Sequence, residues 1–97
     1  MDLEQDKVRN TLEGQIDDLV KARRASSDPK EKEALSSAIS RLEREVDLLN
    51  LTAADALPAK VDAIVKSLQG VLQANSLDAV SALGRSIEKI EALTKQG

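Results

Sequence analysis

Leu, Val and Ile recur along this chain in alternating steps of three and four, which sets them on one face of an α-helix, and no stretch alternates with the two-residue period of a strand. Four stretches carry the pattern. The first runs from about Leu3 to Arg24 with Val8, Leu12, Ile16 and Leu19. The second runs from Pro29 to about Asn50 with Leu35, Ile39, Leu42, Val46 and Leu49. The third carries Leu57, Val61, Ile64, Leu68 and Val71, and the fourth Val80, Leu83, Ile87 and Ile90. The fold class predicted from this is all-α.

Turn chemistry falls between the stretches. Asp28 before Pro29, with Glu31 three residues after Asp28, reads as an N-cap, a first-turn proline and a reciprocal capping carboxylate. Asn75 or Ser76 is expected to cap the fourth helix, with Asp78 in its first turn, where an anion complements the helix dipole. Lys21, Arg23 and Arg24 complement the opposite end of the first helix.

The apolar positions mirror each other about these turns. Around residues 25–28, Leu19, Ile16, Leu12 and Val8 pair with Leu35, Ile39, Leu42 and Val46. Around Asn75, Val71, Leu68, Ile64 and Val61 pair with Val80, Leu83, Ile87 and Ile90. Two antiparallel helical hairpins follow, about residues 3–50 and about 57–95, within a single domain spanning 1–97. Thr52 with Asp55 looks like a fresh cap, and Pro58 disfavours the α conformation at Leu57. A chain break there, folding the hairpins into a four-helix bundle, is preferred. Its competitor is a three-helix rod with a long central helix bent near Pro58, favoured by Ala53, Ala54 and Ala56 and by the lack of Gly between Asn50 and Leu57.

Composition limits the chemistry. The 97 residues include no Phe, Trp, Tyr, His or Cys. Imidazole, thiol, phenol and base-stacking rings are therefore missing, and a disulfide framework is excluded. A net charge of -3, from 14 basic and 17 acidic residues, gives no excess of positive charge to hold a polyanion. No enzyme activity, cofactor, metal, nucleic acid, membrane or small-molecule substrate is expected. The N-terminal residues 1–10 offer no apolar run of signal-peptide length, so a cytoplasmic location is expected.

Several short patterns resolve into structural readings. Ser27-Asp28-Pro29-Lys30 has the Ser-x-x-Lys spacing of penicillin-binding enzymes without their further motifs, and reads as a capping turn. Asn50-Leu51-Thr52 fits a glycosylation sequon but reads as one helix ending and another starting. Lys21, Arg23, Arg24, Arg41 and Arg44 are interleaved with acids and read as ion-paired surface. Ile39 and Val46 at a, with Leu35, Leu42 and Leu49 at d, resemble a parallel coiled-coil dimer seam, yet Ala38 with Glu43 and Glu45 with Asn50 would flank it unfavourably. The helix over 56–74 has Lys60, Asp62, Lys66 and Gln69 on its polar face and no aromatic anchor, so it reads as core-facing rather than membrane-bound.

The two hairpins differ in character. Residues 1–50 hold 12 acidic and 9 basic side chains, against 5 and 5 in residues 51–97. The second hairpin carries spare apolar residues beside its seam, Val65, Leu72, Ala79 and Leu93, with Gly70, Ala82 and Gly84 small enough for another helix to approach. These four are the expected protein-interface residues of a non-catalytic interaction module, a scaffold, adaptor or complex subunit expected to form a homodimer. The alternative is a small regulator or inhibitor of the immunity-protein, antitoxin or chaperone kind, using Asp17, Asp18, Glu43, Glu45 and Asp47 as an acidic partner surface.

Overall fold

Most helix ends between the first and last helices of this chain fall at residues whose side chains, or whose tight backbone turns, satisfy orphaned N–H and C=O groups. The computed structural model describes residues 3–78 and 80–95. Among them are helices α1 (Gln5–Ala25), α2 (Pro29–Leu49), α3 (Leu57–Ala74) and α4 (Ala82–Lys95), with a single 3-10 turn at Ala54–Ala56 before α3. No strand occurs among the described residues.

The first turn follows expectation with one change of partner. Asp28 Oδ1 accepts the N–H of Lys30 at 3.0 Å, and Pro29 begins α2. The N–H of Asp28 donates to Ser26 Oγ at 3.2 Å, so Ser26 takes the part expected of Glu31.

Between the hairpins the chain breaks, but not by the expected cap. Thr52 Oγ1 donates back to the carbonyl of Leu48 at 2.9 Å, closing α2 instead of opening α3. Ala53 then turns extended (φ -67°, ψ 149°) and the 3-10 turn leads into α3. Leu57 is helical (φ -58°, ψ -43°) although it precedes Pro58. Its side chain is fully buried, a gain of about 1.5–3 kcal/mol that favours this placement over the extended backbone usual before proline.

The turn between α3 and α4 departs furthest from the sequence reading. Ser76 adopts a left-handed conformation with φ 53°. Its N–H donates to the Gln73 carbonyl at 3.1 Å, and the N–H of Leu77 donates to the Leu72 carbonyl at 3.0 Å. Those two bonds form a Schellman motif, with Leu72 and Leu77 as its apolar pair, both packed against the core. Asn75 and Ser76 thus end α3 and do not cap α4. The cap of α4 is Ser81, whose Oγ accepts the N–H of Gly84 at 3.3 Å and whose carbonyl accepts from Arg85. Val80, expected to face Val71, lies in the turn and is 74% exposed.

Each helix packs on its neighbours in sequence, and α1 also packs on α4, closing a four-helix bundle with overall extents of 40 × 21 × 18 Å. Cross-helix bonds give the directions. Gln5 Nε2 donates to the Leu49 carbonyl and Arg23 Nη1 to Ser36 Oγ, so α1 and α2 are antiparallel. Lys60 meets Glu45, and Arg41 Nη1 donates to Ser67 Oγ at 2.6 Å, so α2 and α3 are antiparallel too. These contacts exclude the extended rod.

The apolar ladders supply the core. Val8, Leu12, Leu19, Leu35, Leu42, Leu49, Leu57, Val61, Leu68, Leu83 and Ile90 are almost wholly buried. Ile16 and Val46 are half-buried at its margin. Ala34 and Ala38 are fully buried as well. The α2 residues that resemble a dimer seam are thus used within one chain. Among the described residues Gln15 and Ser86 are the buried polar side chains, and Ser86 Oγ donates to Gln15 Oε1 at 2.8 Å between α1 and α4.

Candidate functional site

The apolar residues expected to lie spare on the second hairpin do not share one environment. Val65 and Leu93 are each 4% exposed and belong to the core. The bundle closes over α3 and α4 and covers both within one chain. Ala79 lies outside the described residues. Leu72 is half-buried, with one side on the core and one accessible.

Leu72 sits in a groove on the outer side of the α3–α4 pair, of about 190 Å³. Gly84 and Ile87 form the rest of its floor, and Gln69, Glu88 and Glu91 its edge. The helical repeat explains the assembly: Gly84, Ile87, Glu88 and Glu91 fall on one face of α4, and Gln69 and Leu72 on one face of α3. Gly84 is buried and has no side chain to fill the space. Lys95 Nζ lies 2.6 Å from Glu91 Oε1, while Glu88 projects into solvent. Gly70 does not serve close packing in this chain, since a Cβ there would meet nothing within 4 Å.

The acidic residues divide similarly. Asp17, Glu43 and Asp47 are exposed. Asp18 lies 3.7 Å from Lys89 Nζ, an ion pair between α1 and α4. Glu45 is drawn into the bundle: its Oε2 is sealed from solvent and lies 2.6 Å from Lys60 Nζ. The expected acidic arm is therefore partly consumed in joining helices. Among the basic cluster, Arg23 and Arg41 hold serines of neighbouring helices.

Among the described residues no three carboxylates converge in a way that would hold a metal ion. No described helix is long and apolar enough to cross a membrane. Large apolar side chains stand in water only at Leu51, 85% exposed, and Val80, among the described residues. No known protein family, curated protein or solved structure matches the chain.

The residues that sequence reasoning missed are Gln15 and Ser86. Both fall within the apolar repeat of their helices, Gln15 between Leu12 and Leu19 and Ser86 between Leu83 and Ile90. That position was the available signal of burial; their meeting depends on how α1 lies against α4.

Proposed function

We propose that this chain is a non-catalytic protein-interaction module whose α3–α4 groove receives a helix from a partner protein. The observation that carries the reading is the groove itself: an apolar floor of Leu72, Gly84 and Ile87 beside the carboxylates of Glu88 and Glu91. An apolar floor with a charged edge suits an amphipathic helix that inserts one or two aliphatic side chains and flanks them with Lys or Arg. Composition supports the non-catalytic part, because no imidazole or thiol exists to act as base or nucleophile.

Self-association is the narrower form of the same reading. Two of the residues that suggested it, Val65 and Leu93, are covered within one chain, which leaves the groove as its support. The inhibitor reading has less support, since Glu45 and Asp18 are engaged with Lys60 and Lys89.

A photo-crosslinking residue at Gln69, on the groove's edge, tests the proposal in cells that produce the protein. A discrete protein adduct that disappears with Leu72→Glu, while the thermal melt keeps its shape, is the expected result. An adduct of twice the chain's mass identifies a second copy as the occupant. Crosslinking no stronger than from exposed Lys32, on α2, would end the reading.

A further inference from the structure

Side chains distant in sequence meet in a second cleft, between α1 and α4. It encloses about 260 Å³; Asp18 and Lys21 from α1 and Arg85 and Lys89 from α4 line its walls, with Gln15 and Ser86 at its base. No residue lines both this cleft and the α3–α4 groove. It lies on the other side of α4 and is independent of the docking reading.

Three cations face one carboxylate here. Asp18 balances Lys89 across 3.7 Å. The side chains of Lys21 and Arg85 make no ion pair or hydrogen bond among the described residues. Two positive charges are left uncompensated at the mouth of one cavity in a protein of net charge -3.

The base of the cleft supplies a neutral donor beside the charges. Gln15 is only 7% exposed, and its carbonyl is taken by the Ser86 hydroxyl at 2.8 Å. Its NH2 group makes no hydrogen bond among the described residues and is not sealed from solvent, so its donors are open to a ligand in the cleft that Gln15 lines. An anion in the cleft takes these donors in place of water, and the unbalanced cations set its sign.

We infer that the α1–α4 cleft binds a compact dianionic oxyanion, a phosphate group, with Lys21 and Arg85 as charge partners and the Gln15 amide as the neutral donor that orients it. Two uncompensated cations match two negative charges, and the Arg85 guanidinium offers the planar fork that suits phosphate oxygens. The space holds a tetrahedral oxyanion with several waters, each filling about 30 Å³. A duplex or an acidic membrane is not implied, since the positive charge is confined to one cavity.

The test is a titration of 15N-labelled protein, at constant ionic strength, with inorganic phosphate and separately with O-phosphoserine, chloride serving as the reference ion. Saturable shifts of the Gln15 side-chain NH2 signals and of the Ala82–Ser86 amides are expected with phosphate. A response to phosphate alone identifies free phosphate as the ligand, and an equal or stronger response to O-phosphoserine a phosphate ester. Lys21→Gln with Arg85→Gln, both exposed, should leave the fold intact and weaken binding about tenfold or more, whereas Lys30→Gln with Lys32→Gln should not. Shifts that grow linearly with added salt, or that survive in the Lys21 and Arg85 double variant, overturn the assignment.

Discussion

Ser86 Oγ donates to Gln15 Oε1 at 2.8 Å, a buried bond between residues 71 positions apart that ties α4 to α1. Breaking it from one side leaves a buried polar group unmatched. Ser86→Ala should cost about 1–2 kcal/mol, and Gln15→Leu with Ser86→Ala together should cost less than Ser86→Ala alone, since neither partner is then left behind. Urea denaturation of the two singles and the double measures this; strictly additive effects would show that the pair does not act as a unit.

Ser76 holds a left-handed backbone without being glycine. Ser76→Gly should therefore raise stability by roughly 0.5–1 kcal/mol, because the Cβ strain is removed while the Schellman bonds remain. A rise in the urea midpoint checks it, and an unchanged or lower midpoint contradicts the turn as described.

Gly70 sits in the middle of α3 with open space where a side chain would go. Gly70→Ala should add about 0.5–1 kcal/mol through helix propensity alone. Differential scanning calorimetry reads the change as a higher melting temperature.

Glu45 and Lys60 form the half-buried ion pair between the hairpins. Lys60→Met should destabilise by about 1–2 kcal/mol by leaving the sealed carboxylate oxygen without its cation, and adding Glu45→Gln should recover part of that loss. The contrast with Lys66→Met, whose i,i+4 partner Asp62 is exposed, is a loss of at most about 0.5 kcal/mol. Both are read from chemical denaturation, and equal losses at Lys60 and Lys66 would refute the distinction.

Val80 and Leu83 separate turn from helix. Val80→Ser should change stability by less than about 0.5 kcal/mol, whereas Leu83→Ala, fully buried, should cost about 2–4 kcal/mol. A comparable loss at Val80 would restore it to the core ladder.

How much the sequence disclosed can be followed residue by residue. The repeat through Val8, Leu12, Leu19, Leu35, Leu42 and Leu68 identified helices and their buried faces, because burial of one helical face dictates the spacing. Asp28 and Pro29 marked a helix start, because the residues that satisfy a cap are local to it. Thr52 and Ser76 were misread for different reasons: a threonine hydroxyl serves at the start or the end of a helix, whereas Ser76 ends α3 through its backbone alone, and packing chooses in both cases. Thr52 closed α2, and Ser76 turned left-handed so that Leu77 instead of Val80 met the core.

The candidate sites were less legible than the helices. Leu72 and Val65 look alike in sequence, yet one borders a groove and the other is sealed, because the first hairpin covers only one side of α3. Lys21, Arg85 and Gln15 share no local pattern at all. The sequence by itself determined that this chain forms four amphipathic helices in two hairpins, since spacing and capping act over a few residues. Only the tertiary structure decided which flanking side chains stay exposed and which polar groups meet across α1 and α4, because helix rotation and docking depend on the packing of all four helices together.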